Sequence, residues 1–151
     1  MPSAEVSRNV DQLNSFLRGE ISAVETYRIA LDRLKLESPA RSRLDACLQS
    51  HSERVSLLKA RIETLGGQPA AGAGPWGAVT RAIEASASAF GDRAAIAALE
   101  QGEDHGLRDY QEDVVKLDES ARDLVIQQLL PQQEHTHKVM SDLKHELKAA
   151  A

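Results

Sequence analysis

The chain has 151 residues, of which 27% are charged and only 3% are aromatic, and its formal net charge is −5. This length predicts a single domain, residues 1–151, with a substantial core built mainly from aliphatic side chains. The acidic charge argues against general nucleic-acid binding, and the lack of a long apolar run argues against a membrane span. Because the N-terminal residues lack the basic and apolar blocks of a signal peptide, we expect a cytoplasmic protein.

Two long amphipathic segments open the chain. Apolar residues at steps of three and four predict helix 1 from about Ala4 to Leu36 and helix 2 from about Pro39 to Leu65. Ser38-Pro39 separates them, because the residue before a proline disfavours helical geometry, and Gly66-Gly67 ends the second helix. The short break predicts that these two helices form an antiparallel hairpin.

A crossover is predicted in the middle of the chain. The stretch from Gln68 to Gly77 is rich in Ala, Gly and Pro, which is typical of a linker. A short helix from about Ala78 to Phe90 follows it, and the two segments together are long enough to run the length of a bundle. Trp76 is the only tryptophan, and we expect it to pin this crossover to the bundle.

A second pair of helices is predicted after the crossover. Asp92 is a candidate N-cap for helix 3, about Arg93–Leu117, and Asp118 for helix 4, about Glu119–Ala149. Pro131 lies inside helix 4 and should bend it, because a proline removes one backbone hydrogen bond. The four segments predict an all-α four-helix bundle made of two antiparallel hairpins joined by a long crossover.

The two hairpins carry matching polar residues on their predicted inward faces. Three pairs repeat at separations of 83 or 84 residues: Glu20 with Glu103, Tyr27 with Tyr110, and His51 with His135. A lone carboxylate on an apolar helix face is costly to bury, so Glu20 and Glu103 need partners in the core. Each hairpin therefore offers a Glu from its first helix and a His from its second helix to a shared central site.

Several short motifs, spread over nearly the whole chain, identify a family. They are Arg18-Gly19-Glu20-Ile21-Ser22-Ala23 with Tyr27, Leu65-Gly66-Gly67-Gln68-Pro69, Gly102-Glu103-Asp104-His105-Gly106-Leu107 with Tyr110, and the second helices with their histidines. With these motifs the chain resembles a bacterial ferritin-like four-helix-bundle family of unknown function. The resemblance implies a ferritin-like bundle with a short extra helix in its crossover, and a stress or metal-handling role.

The di-iron pattern of ferritin-like proteins combines one Glu from each of two helices with a Glu-x-x-His pair from each of the other two. Glu20 and Glu103 match the first part of this pattern. The residues three positions before His51 and His135 are Leu and Gln rather than Glu. Because the bridging carboxylates of a di-iron centre are thus missing, the pattern argues against catalytic oxygen chemistry, and no catalytic residue is predicted.

A site for a single divalent metal ion remains a hypothesis. Glu20, His51, Glu103 and His135 are suitable ligands for iron, manganese or zinc. The second-rank candidates are Glu134, His137, Tyr27 and Tyr110. The alternative is a metal-free layer in which Glu20 and Glu103 accept hydrogen bonds from the histidines, the tyrosines, Arg54 or Lys138. Three functions therefore stay open: a non-catalytic or metal-binding bundle of stress or storage type, an oxygen- or peroxide-handling metalloenzyme, and a structural or interaction protein that assembles through its outer helix faces. A homo-oligomer is one candidate assembly.

Overall fold

The structure, a computed structural model, describes residues 2–72, 76–77, 79–81, 83–84 and 91–149, and these contain helices and no strand. The helices are α1 (Ala4–Arg33), α2 (Ser38–Thr64), α3 (Gly91–Asp113), α4 (Glu119–Leu124) and α5 (Leu130–Ala149). A 3₁₀ turn (Val114–Lys116) follows α3, and a π-helical turn (Val125–Leu129) joins α4 to α5. The predicted all-α four-helix bundle is confirmed, with α4, the π turn and α5 forming its fourth helix.

The first hairpin is set by local signals at the ends of its helices. Ser3 caps α1 by accepting a hydrogen bond of 3.1 Å from the backbone N–H of Val6. Gly66 follows the C-terminal end of α2 with a φ of 80°, a left-handed conformation that favours glycine. Gly67 comes so close to α1 that a Cβ there would lie 2.7 Å from a Val10 methyl group. These glycines therefore both end α2 and fix the chain against α1.

The bundle is organised as two packed pairs of helices around a polar layer. α1 packs mainly against α2, and α3 packs mainly against α5. The apolar core consists of two clusters, one that includes Leu13, Leu17 and Leu58 and one that includes Ala23, Leu99 and Met140. Glu20 lies on α1 between these two clusters, so the carboxylate occupies the middle of the bundle. Along the described ranges, no helix is long and apolar enough to cross a membrane.

The fourth helix changes its register at the π turn. There the backbone N–H of Leu130 donates to the carbonyl of Val125, five residues earlier, which adds one residue to the helical turn. Pro131, which has no N–H to donate, follows directly. The π turn thus lies just before the proline at which a bend is predicted. As a result, the buried residues beyond the turn begin with Gln133 and Thr136 and continue with Met140 and Leu143.

The crossover contacts the bundle through Trp76, as predicted. Trp76 is only 3% exposed, and its ring lies against those of Tyr27 and His51, with centroid distances of 6.3 and 6.0 Å. Gly102 on α3 leaves the space that this indole occupies. The described residues of 77–84 are helical, whereas the predicted end of the short helix at Phe90 lies outside the described part of the chain.

The space for Trp76 gives a test with a matched control. A Cβ at Gly102 would lie 2.8 Å from Trp76 Cζ3, whereas a Cβ at Gly19 would meet nothing within 4 Å. Gly19→Ala should therefore raise the free energy of unfolding by about 0.5–1 kcal/mol through helix propensity. Gly102→Ala should lower it by about 1–3 kcal/mol through overpacking. Urea unfolding followed by Trp76 fluorescence measures both, and equal stabilisation by the two substitutions would contradict the packing.

Candidate functional site

An imidazole bridges two carboxylates at the centre of the bundle. His51 Nδ1 lies 2.6 Å from Glu20 Oε2, and His51 Nε2 lies 2.6 Å from Glu103 Oε1. His51 is 1% exposed and Glu103 is fully buried. Both ring nitrogens can donate only when the imidazole is protonated, because a neutral ring has one donor and one acceptor. The two short contacts to carboxylate oxygens therefore fit an imidazolium between two ionised carboxylates.

The tyrosines that follow the two Glu residues exchange partners between the hairpins. Tyr27 on α1 donates to Glu103 Oε1 on α3 at 2.7 Å, and Tyr110 on α3 donates to Glu20 Oε1 on α1 at 2.7 Å. Each hydroxyl is thus tethered to the carboxylate of the other hairpin. These two reciprocal hydrogen bonds connect α1 to α3 across the bundle axis. Both tyrosines are therefore buried core residues with a hydrogen-bonded hydroxyl.

Arg54 supplies a second cation beside Glu20. Its side chain is completely buried, and Nη1 donates to Glu20 Oε1 at 3.3 Å and to Gln133 Oε1. Nη2 donates to Thr136 Oγ1 at 3.0 Å and to Ser50 Oγ at 3.2 Å, while Nε donates to the Ser50 carbonyl at 3.4 Å. All three guanidinium nitrogens therefore have acceptors, as burial of a charged group demands.

Two neutral side chains of α5 connect Arg54 to Glu103. Gln133 accepts from Arg54 through Oε1 and donates through Nε2 to Glu103 Oε2 at 2.8 Å. The Thr136 hydroxyl accepts from Arg54 and lies 2.8 Å from Glu103 Oε2 as a donor. The contacts close into a loop of six buried side chains. We call this loop the central ring: Glu20, His51, Arg54, Glu103, Gln133 and Thr136.

The central ring balances its own charge. Burial alone would raise the pKa of Glu20, but the cations of Arg54 and His51 outweigh it and lower that pKa. Burial likewise opposes ionisation of Glu103. Its pKa is nevertheless lowered to about 2, mainly by the charge of His51 and the hydrogen bond from it. Burial disfavours the imidazolium of His51, but the Glu103 and Glu20 carboxylates raise its pKa. All three shifts favour the charged form, which pairs the two anionic carboxylates with the cationic side chains of His51 and Arg54.

A small cavity reaches the central ring from the side of α1 and α3. Its volume is about 20 Å³, and its lining includes Gly19, Glu20, His51 and Gly106. A space of this size holds about one water molecule. A Cβ at Gly106 would lie 3.0 Å from Gln133 Nε2, so this glycine lets α3 approach the ring closely.

The structure brings together three of the four first-rank residues. The side chain of His51 is in direct contact with those of Glu20 and Glu103. The inward position predicted for His135 is wrong, since this residue is exposed. The cause is the π turn, because its extra residue turns the positions of Gln133 and Thr136 inward in place of those one residue earlier.

The second-rank residues divide between the centre and the surface. Tyr27 and Tyr110 belong to the centre. Glu134 is exposed, and His137 lies outside the ring, with Nε2 3.6 Å from Glu100 and 3.7 Å from Asp104.

Sequence reasoning missed two members of the ring, Gln133 and Thr136, and it named Arg54 only as one of several candidate donors to the two carboxylates. One signal pointed to Arg54, which lies three residues after His51 and hence on the same helix face. No comparable signal marked the other two residues, because the π turn that directs them inward cannot be read from the apolar periodicity.

The comparisons with known proteins agree with the fold. The model of the family described as Domain of unknown function (DUF2383) matches residues 8–116, so the chain belongs to that family. A crystal structure of ferritin-like, diiron-carboxylate proteins from Bacillus anthracis str. Ames superposes with a TM-score of 0.66, 19% identity and coverage of 98% of both chains. At this identity the likeness establishes a ferritin-like fold. No curated protein matches the chain.

The side chains at the centre do not fit the di-iron group that the fold suggests. That group takes four carboxylates and two histidines in ferritin-like proteins, whereas the central ring has two carboxylates and one His. Both nitrogens of His51 and all four carboxylate oxygens already have partners within the ring or from the tyrosines. Among the described residues, no three His, Cys, Asp or Glu side chains are arranged to hold a metal ion.

The charge balance predicts how stability depends on pH. The carboxylates have lowered pKa values, so their contribution is present above their ordinary value of 4.5 and is lost as the pH falls through the folded values. His51 has a raised pKa, so its contribution is complete below its ordinary value of 6.5 and is lost as the pH rises through the folded value. The ring should stabilise the fold most between these two limits.

The variant His51→Gln isolates the imidazolium from other titrating groups. The difference in free energy of unfolding between the native chain and this variant should be largest near pH 4.5–6.5 and should shrink as the pH rises. Urea unfolding at a series of pH values measures it. A difference that stays constant from mildly acidic to alkaline pH would contradict a charged His51.

Loss of Arg54 should be far more costly than loss of a surface arginine. Arg54→Met leaves buried carboxylates with too few cations, for which the expected cost is about 3–5 kcal/mol of folding free energy. Arg43, paired at 2.7 Å with Glu146 on the surface, is the matched control, and Arg43→Met should cost no more than about 1 kcal/mol. Chemical denaturation compares the two, and equal costs would contradict the central place of Arg54.

Proposed function

We propose that this protein is a metal-independent member of the ferritin-like fold that serves as a structural or interaction protein. The observation that carries the proposal is the position of Arg54. Its guanidinium lies fully buried in the central ring, beside Glu20 and linked by Gln133 and Thr136 to Glu103. A divalent ion at the centre would have to displace this cation or lie next to it. Like charges at such short range repel strongly in a buried site.

The state of His51 supports the same proposal. A metal ligand must offer the lone pair of a neutral imidazole, and here each ring nitrogen lies 2.6 Å from a carboxylate oxygen. Metal binding would cost the second proton of His51 and at least one of these charge-assisted hydrogen bonds. Oxygen or peroxide chemistry is disfavoured further, because it needs a redox metal with an open coordination position.

A structural role follows from what the ring connects. Its side chains come from α1, α2, α3 and α5, so one network joins all four helices of the bundle at their middle. Buried polar networks that are fully paired specify one arrangement of the helices. In this proposal the ring keeps the bundle in a single register, and the outer faces carry the contacts with partners or with other copies of the chain.

The proposal is tested by the metal content and the metal response of the protein. Chain purified without chelator should contain far less than one iron, manganese or zinc ion per molecule. Its unfolding midpoint should not move with EDTA or with excess metal, because only a ligand that binds the folded state shifts that equilibrium. Elemental analysis and thermal unfolding measure these quantities.

The control variant pairs Glu20→Gln with Glu103→Gln, which removes both carboxylates. A stoichiometric ion in the native chain that disappears from this variant would overturn the proposal. Sedimentation velocity of the same preparation reports whether the chain associates with itself.

A further inference from the structure

The inward residues of α2 and α5 repeat a spacing that carries metal ligands in ferritin-like proteins. His51 and Arg54 are three residues apart on α2, and Gln133 and Thr136 are three residues apart on α5. All four are buried at 1% exposure or less. Because α1 and α3 each add one Glu, the central ring has the helix order and spacing of the di-metal pattern, in which α2 and α5 would each supply Glu-x-x-His.

We infer that the central ring occupies the place of a di-metal centre in this fold. The cationic side chains of His51 and Arg54 supply the positive charge that two metal ions would supply there. His51 and Gln133 stand at the positions of the two carboxylates on the second and fourth helices. Arg54 and Thr136 stand at the positions of the two histidines. This inference rests on the proposed function, since it takes the native centre to be free of metal.

The charges support the assignment. Four carboxylates with two divalent ions form a neutral centre, and two carboxylates with an imidazolium and a guanidinium form a neutral centre as well. The substitution of both α2 ligand positions by cationic residues thus accompanies the loss of two carboxylates. A buried site has to remain near neutrality, so neither change is tolerated without the other.

The contacts of Arg54 connect its guanidinium to both buried carboxylates, as a metal ion shared between them would be connected. It donates directly to Glu20 at 3.3 Å and reaches Glu103 through the Gln133 amide and the Thr136 hydroxyl. Those two α5 side chains accept from the guanidinium and donate to the carboxylate. The Gln amide and the Thr hydroxyl can each accept from the arginine and donate to Glu103, whereas an ionised Glu at position 133 would have no proton to donate to that carboxylate.

The test restores the ligand set within the whole chain. The variant combining His51→Glu, Arg54→His, Gln133→Glu and Thr136→His supplies four carboxylates and two histidines at the ring positions. It should bind two Co²⁺ ions per chain, seen in visible absorption and elemental analysis, while the native chain binds none. A control that adds Glu20→Gln and Glu103→Gln to this variant should lose that binding.

A simpler substitution decides the matter where the fourfold variant fails to fold. Arg54→Ala removes the guanidinium and leaves space beside Glu20, His51 and Glu103, so added Mn²⁺ or Zn²⁺ should raise its unfolding midpoint by about 5–10 °C at saturating concentration. Arg54→Lys keeps a cation and should show no such rise.

The results separate this inference from the proposed function. A folded fourfold variant without Co²⁺ binding overturns the inference and leaves the proposed function intact. Where that variant does not fold, an Arg54→Ala variant that metal does not stabilise overturns it. Metal bound by the native chain overturns the proposed function first, and the inference with it.

Discussion

The structure depends on the mutual neutralisation of two buried carboxylates by His51 and Arg54. Each of these four groups would be costly to bury alone, because the protein interior solvates charge poorly. Together they leave no unpaired carboxylate oxygen, and their partners come from all four helices of the bundle. The apolar clusters on either side can therefore pack against a polar layer whose carboxylate oxygens are all paired. The polar layer also makes the alignment of the helices specific, since sliding one helix would separate charges that have no other partner.

The two hairpins are related by an approximate symmetry. It holds for the first helix of each hairpin, α1 and α3, and it fails for the second helix, α2 and α5. Glu20 with Tyr27 and Glu103 with Tyr110 are equivalent, and each tyrosine reaches the carboxylate of the opposite hairpin. The second helices are not equivalent, because α2 contributes two cationic side chains and α5 contributes two neutral ones. A pair of metal ions would be bound well by matching ligands from α2 and α5. In the hydrogen-bonded ring the two helices have different roles, because α2 supplies the cationic donors and α5 supplies the neutral groups that connect Arg54 to Glu103.

The sequence alone predicts the architecture well and about half of the centre. Periodicity, Ser38-Pro39 and the paired glycines after α2 place the helices to within a few residues, because these signals act locally. The burial of Glu20, His51 and Glu103 follows from charged or polar groups on apolar faces. The fourth helix differs, because the π turn depends on backbone geometry near Pro131 that no periodic pattern encodes. His135 was for that reason predicted to face inward, and the contribution of α5 was missed.

The π turn also implies that the fourth helix has two competing registers in one sequence. If Val125–Leu129 wound as ordinary α-helix, everything after it would rotate by about 100° about the helix axis, and the imidazole of His135 would swing toward the bundle interior. In the observed winding, Gln133 and Thr136 bond to Glu103 and Arg54 instead. The winding of this segment and the bonds of the centre, one to two helical turns away, are therefore coupled, so that neither can change without the other.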